Sequence, residues 1–213
     1  MNIAGFVVGP YQTNCYVVIN DQTREGFAVD PGLGAGEHVR RQFEEQGATL
    51  TAVVCTHGHL DHVRDAAGLG VDVYMHPDDA FMLAGETSVP SAGRAAFNAS
   101  RMETPARVID IVDGEALQLA GMELSVRHAP GHSPGCVLLV GKELVFSGDV
   151  LFNGSVGRTD LEFSDPDAMA QSLRGPVWEL DDALTVLPGH GPATTIGAER
   201  ASNPYLRAAN RGR

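Results

Sequence analysis

Within seven residues, THGHLDH at positions 56 to 62, the chain places three histidines and an aspartate. At its own residue frequencies a His-x-His-x-Asp-His pattern arises by chance in roughly one such sequence per thousand, so the clustering needs a chemical reason. Imidazole nitrogen and carboxylate oxygen together suit Zn²⁺, Fe or Mn²⁺, whereas Ca²⁺ and Mg²⁺ prefer all-oxygen shells. Gly58 lets the backbone bend so that His57 and His59 face one ion, and Asp61 and His62 follow where they can address a second. Four donors cannot complete two coordination shells, so partners must come from elsewhere. His132 in APGHSPG, Asp149 in VFSGDVLF and His190 in VLPGHGP share one context: each lies at or just beyond an apolar strand, beside glycine. A carboxylate such as Asp149 can bridge two cations about 3.5–4 Å apart.

Converging strand ends would bring these side chains together, and the chain supplies the strands. IAGFVV, CYVVIN and GFAVD read as an antiparallel meander, and TAVVC as a buried strand that delivers the chain into the histidine motif. Between Gly34 and Gly47, Val39 and Phe43 mark one helix face, with charge pairs Glu37–Arg41, Arg40–Glu44 and Arg41–Glu45. A helix over residues 62–68, a strand at VDVYM, and a helix opened by Pro77, Asp78 and Asp79 and ending near Gly85 are expected next. Residues 86–104 read as a long loop or short helical pieces. A second β-rich stretch holds ARVIDIV, ALQLA, MELSVRH, CVLLV and ELVFSGD, with glycines at its turns. Asp165 as cap, Pro166 at the first helical position, Met169 with Leu173, and Gly175 define a late helix. ALTVLPGH is the last strand, and a short helical tail runs from about residue 197 to an interruption at Asn203 and Pro204. This order fits a single domain over residues 1–213, two sheets face to face with helices outside.

Composition narrows the function. A formal charge of −12 provides no basic field for a phosphate backbone, which argues against a nucleic-acid partner. No run approaches the ~18 apolar residues of a membrane helix, and MNIAGFVVGP lacks the basic start of an export signal. Cys15, Cys55 and Cys136 are too few and too dispersed for a disulfide scaffold; Cys55 and Cys136 sit in apolar strands as buried thiols. A reducing, cytoplasmic location is expected; oligomeric state is not legible. Of the other histidines, His38 should face solvent from the first helix, and His76 and His128 should be structural. Asp30 in VDPG is a turn residue that could also orient a ligand histidine.

With THGHLDH, His132, Asp149 and His190 in that order, the chain resembles the metallo-β-lactamase superfamily. The resemblance implies a four-layer αββα sandwich over essentially the whole chain and two divalent metal ions, Zn²⁺ foremost with Fe or Mn possible. Carried over by position, His57, His59 and His132 would bind one ion, Asp61, His62 and His190 the other, and Asp149 would bridge them. TNCY at 13–16, VDPG at 29–32, GRTDL at 157–161, PGHGPATTIGAER and NPYL at 203–206 further resemble the short glyoxalase II-like hydrolases. Full-length glyoxalase II enzymes hold glutathione with a C-terminal helical region. Here 23 residues follow His190, so the resemblance implies thioester hydrolysis without carrying glutathione recognition.

The implied reaction is hydrolysis of S-2-hydroxyacyl thiols such as S-lactoylglutathione by a bridging metal hydroxide, with Asp61 and Asp149 as the catalytic carboxylates. A low-pKa thiol leaves without a dedicated acid, and the sequence has no G-x-S-x-G serine elbow. Arg158 is the one candidate for gripping a substrate carboxylate, with a salt bridge to Asp160 as its alternative role. The rival activity on the same scaffold is a mononuclear iron persulfide dioxygenase built on His57, His132 and Asp149. β-Lactam opening is disfavoured by the absence of an export signal.

Overall fold

The computed structural model describes residues 1–91 and 93–211. β1 (Asn2–Val8), β2 (Thr13–Ile19) and β3 (Glu25–Val29) form the expected meander, and α1 (Ala35–Glu45) crosses to β4 (Thr49–Val54), parallel to β3. α2 (Leu60–Val63) follows the histidine loop; then come β5 (Asp72–Met75), α3 (Pro77–Ala80) and β6 (Val108–Asp110), which complete a six-stranded sheet in sequential order. The second sheet contains β7 (Ala116–Leu119), β8 (Met122–His128), β9 (Val137–Val140), β10 (Leu144–Gly148), β11 (Thr185–Pro188) and β12 (Thr194–Thr195). Its pairs are antiparallel except β10 with β11. α4 (Pro166–Arg174), α5 (Ile196–Ser202) and α6 (Pro204–Ala209) cover its outer face.

Three apolar layers hold this stack. Val18, Phe27, Val54, Leu124, Leu139 and Phe146 fill the space between the sheets. Val39 and Phe43 of α1 pack on Val17, Ile19 and Val53, while Met169, Leu173 and Leu206 pack on Leu138, Val145 and Val186. β2 is therefore buried along its whole length, its odd and even residues serving different layers. Burying one such side chain contributes about 1.5–3 kcal/mol, so β2 is firmly held between the two layers.

Several expectations are corrected. The helix expected over 62–68 starts at Leu60 and lasts four residues, continuing only as a 3₁₀ turn at Ala67–Leu69; Gly68 and Gly70 stop its propagation. β6, expected with the second β-rich stretch, joins the first sheet, parallel to β5. That pairing is a long-range choice that no local pattern reports. Of the three charge pairs on α1, Arg41–Glu45 forms at 4.0 Å, while Arg40 donates to Gly68 O at 2.5 Å. His38 is half-buried, its ring centroid 5.3 Å from that of Phe6. Asp165 caps α4 as expected, accepting from the backbone of Asp167 and Ala168.

Candidate metal centre

The seven chemistry-bearing side chains leave five separate segments and meet on one rim of the sandwich. His57 and His59 lie in the loop after β4, and Asp61 and His62 on α2. His132 lies between β8 and β9, while Asp149 and His190 follow β10 and β11, whose parallel pairing sets their loops side by side. Donor atoms of His57, His59 and His132 lie within 4.8 Å of one another, as do those of Asp61, His62 and His190. Asp149 stands between the two groups: its Oδ1 is 3.3 Å from His62 Nε2, and its Oδ2 is 3.3 Å from His132 Nε2 and 3.4 Å from His190 Nε2.

Outer hydrogen bonds aim the rings. Thr56 Oγ1 donates to Asp30 Oδ2 at 2.7 Å, so His57 Nδ1–H donates to Thr56 Oγ1 at 3.1 Å and Nε2 is left pointing inward. His62 Nδ1–H donates to Asp30 at 3.0 Å, His132 Nδ1–H to Arg158 O at 2.8 Å, and His190 Nδ1–H to Tyr11 O at 3.1 Å. His59 is set the other way, with Nδ1 facing His132 Nε2 at 2.8 Å. His57 Nε2 and His59 Nε2 are buried with no hydrogen-bond partner, while His62 Nε2 and Asp149 Oδ1 are buried facing each other at 3.3 Å.

The unpaired His57 Nε2, aimed into this cluster of imidazoles and carboxylates, fits a cation better than any structural role. The charge balance agrees. Asp30, Asp61 and Asp149 are buried close together, and their side-chain partners are imidazoles and the hydroxyls of Thr13 and Thr56. Burial opposes ionisation of Asp61 and Asp149, yet the His62 charge and hydrogen bonds from His190 and His62 hold both well below the usual carboxylate range. Burial likewise opposes protonation of His190, but hydrogen bonds to Asp149 and Asp61 lift its pKa to about 9. His59 goes the other way: burial, then the neighbouring His132, lowers it to about 3. Protons on His62 and His190 thus balance the carboxylates in the metal-free chain, at the positions where a divalent cation would do so.

A model of the metallo-beta-lactamase superfamily matches residues 8–190. The chain belongs to that superfamily. An uncharacterised protein of Mycobacterium tuberculosis is 37% identical over 225 residues, spanning 99% of this chain and all of its own. The hydroxyacylglutathione hydrolase GloC of Haemophilus influenzae is 35% identical over 215 residues, 98% of this chain and 99% of its own. Among solved structures, the B3 metallo-beta-lactamase BLEG-1 has a TM-score of 0.84 at 33% identity, covering 96% of this chain and 99% of its own. TTHA1623 in a di-iron-bound form has a TM-score of 0.80 at 37% identity, covering 95% and 99%.

The short segments that accompany the superfamily motif have physical roles here. From TNCY, Asn14 Nδ2 donates to Pro188 O and Gly191 O, and Tyr16 OH to Pro188 O, pinning the His190 loop to the opposite sheet. Thr13 donates to Asp61 Oδ2 at 3.1 Å. In VDPG, Asp30 is the support described above, and Gly32 lies so close to Asp61 that a Cβ would come within 1.8 Å of its carbonyl oxygen. Gly58 proves to be a matter of space: its φ is not positive, its N–H donates to Asp79 Oδ2 at 2.7 Å, and a Cβ would meet Met82 at 3.0 Å.

Asp79 is the largest omission from the sequence reading, which gave it only a helix-opening role. Its buried carboxylate also accepts from Ser133 Oγ at 2.5 Å and Gly135 N at 2.6 Å, tying the His57–His59 loop to the His132 loop. Burial pushes its pKa up in spite of those three donors. No motif marked it, because one aspartate at the start of a helix has an ordinary explanation.

A cavity of about 670 Å³ opens over the centre, reaching His59, Asp61, His132, Asp149 and His190. Its apolar walls come from Leu60, Pro90, Phe152, Val156 and Leu161, with Tyr11 at the edge. Arg158 lines it as well, but its guanidinium lies exposed in a bidentate pair with Asp160, both bonds 2.9 Å. Tyr205 is exposed outside this cavity, and Asn203 is buried as the cap of α6. Cys15, Cys55 and Cys136 are buried free thiols. Among the described residues no helix is long and apolar enough to cross a membrane.

Proposed function

We propose that the chain is a dinuclear metal-dependent thioester hydrolase of the glyoxalase II type, acting on S-2-hydroxyacyl thiols, with Zn²⁺ the cation best matched to the donors and Fe or Mn compatible. The carrying observation is the pair of three-residue donor groups flanking one buried carboxylate. His57, His59 and His132 would hold one cation, Asp61, His62 and His190 the second, and Asp149, lying between the two groups, would be shared by both. Bound there, two divalent cations would lower the pKa of a shared water and polarise the thioester carbonyl.

The chain's own groups do the rest. Asp61, held through Oδ2 by Thr13 and His190, would orient the attacking water. The apolar walls keep bulk water from the reacting carbonyl and so strengthen every charge interaction beneath them. No general acid is assigned to the leaving group, because a thiol of pKa about 8.5 leaves readily as thiolate. The likeness to the hydroxyacylglutathione hydrolase of Haemophilus influenzae supports the thioester reading. Three unpaired buried thiols are in keeping with a reducing, cytoplasmic setting. The dioxygenase alternative uses only His57, His132 and Asp149 and leaves Asp61, His62 and His190 without a purpose.

The test is metal content per chain, measured with turnover of a thioester panel, oxygen uptake on a persulfide and opening of a β-lactam. Two metals per chain and thioester turnover are expected, with Asp149→Asn lowering kcat about 10²–10³-fold at full loading. One iron per chain with oxygen consumption, a β-lactam as the best substrate, or an unimpaired Asp149→Asn enzyme would each overturn the assignment.

A further inference from the structure

The cavity rim carries information about the thiol half of the substrate. Among the described residues, the charged side chains lining the cavity outside the seven-residue centre are Arg158, Asp160 and Glu162. Arg158 engages Asp160 through one edge of its guanidinium, Nε and Nη2 at 2.9 Å each, so its charge is already balanced by that carboxylate. Glu162 is exposed and receives one backbone donor, Ser91 N at 3.2 Å. The rim therefore sums to one negative charge, on a chain whose formal charge is −12. An acyl group reaching the donor cluster would leave its thiol carrier lying along this rim.

Resting on the thioester reading above, we infer that this site is built for an uncharged or cationic thiol carrier and discriminates against one bearing free carboxylates. A carboxylate on the carrier would meet Glu162 directly and would find the charge of Arg158 already offset by Asp160. Solvent screening keeps the penalty moderate, so the discrimination belongs in KM. The adjoining groove, about 530 Å³ on the far side of residues 155–159, includes Arg174 and Tyr205. A carrier long enough to cross that segment would meet Arg174, whose guanidinium is already bonded to Ala209 O, and displacing that bond is the competing route for an anionic thiol.

The probe is a matched pair, S-lactoylglutathione and its diethyl ester, which share one peptide skeleton and differ in two carboxylates. The metal-loaded enzyme should turn over the diester with kcat/KM about tenfold higher, mostly through KM, the gap narrowing as salt rises. Asp160→Asn releases Arg158 and should shrink the ester-to-acid ratio about three- to tenfold, and Glu162→Gln should shrink it less. A free acid preferred over the diester overturns the inference, as does an ester-to-acid ratio that Asp160→Asn leaves where it was. A tenfold rise in KM for the free acid in Arg174→Gln also overturns it by establishing the competing route. Hydrolysis of neither compound by fully loaded protein instead rejects the thioester reading itself, and this inference with it.

Discussion

Among the described residues, histidines and aspartates gather with comparable spacing in two regions, and the geometry of one suits a metal far better than that of the other. Donor atoms of His76, Asp78 and His128 also lie within 4.8 Å of one another. Their imidazoles, however, stack at 4.1 Å with planes 7° apart, whereas neighbouring rings in the main cluster are inclined by 52° to 86°. An imidazole lone pair lies in the ring plane. Inclined rings can aim several lone pairs at one point, but stacked rings send theirs out side by side. The stacked pair is also satisfied: Asp78 N–H donates to His76 Nδ1 at 3.3 Å, and His128 Nε2–H donates to Pro134 O at 2.8 Å. Convergence of unsatisfied donors, more than their number, separates a metal centre from a polar corner of the fold.

Proton competition offers the sharpest way to break this contrast. His62 and His190 are held protonated by carboxylates that a metal would share, so metal binding must release those protons. Affinity should rise by at least about tenfold per pH unit as pH approaches the His190 pKa of about 9, and level off only once His62 has lost its proton as well. In the metal-free chain the sign is opposite. A raised imidazole pKa contributes stability that is fully present below about pH 6.5 and is lost as pH climbs through about 9. Competition against a chelating indicator, with thermal melts of metal-free protein over the same range, reads both trends. A pH-independent metal affinity would mean that these two rings are not ligands.

A smaller effect is expected from Gly189, the residue before His190. A Cβ at Gly189 would fall 2.2 Å from Asp149 Oδ1 and 2.6 Å from His62 Cε1, so Gly189→Ala must displace the carboxylate between the two donor groups. Loss of metal affinity by about 10–100-fold is expected, the range seen when a ligand's support is disturbed. Native-like secondary structure and an unaltered metal titration in this variant would remove Asp149 from its central position.

Gly189 also illustrates what could be read in advance. The glycine flanking each late donor is visible in PGH and SGD, and the donor residues are recognisable because three distant segments repeat one pattern of apolar strand, glycine and donor. The strands were legible for the same reason: β2, β4 and β10 carry apolar runs whose burial nothing else could explain. What escaped was non-local. The membership of β6 in the first sheet depends on a strand more than thirty residues away, and Asp79 matters only because Gly58, Ser133 and Gly135 arrive beside it from two other loops. Arg158 had two open roles in the sequence, and the nearness of Asp160 decided how its side chain is held.

The weakest effect should come from the stacked pair, and that weakness is itself informative. His128→Phe keeps an aromatic ring against His76 while deleting the bond to Pro134 O, a loss of about 0.5–1.5 kcal/mol for one ordinary hydrogen bond. For a chain of this size that corresponds to a fall in Tm of roughly 1–6 °C. Because Pro134 sits two residues from His132, a modest weakening of metal affinity is expected as well, but the number of metals bound per chain should stay the same. If the parent protein instead bound an additional equivalent that His128→Phe removed, the stacked geometry would have to rearrange on binding. Ring inclination in the metal-free fold would then be a poor guide to which histidines take metal.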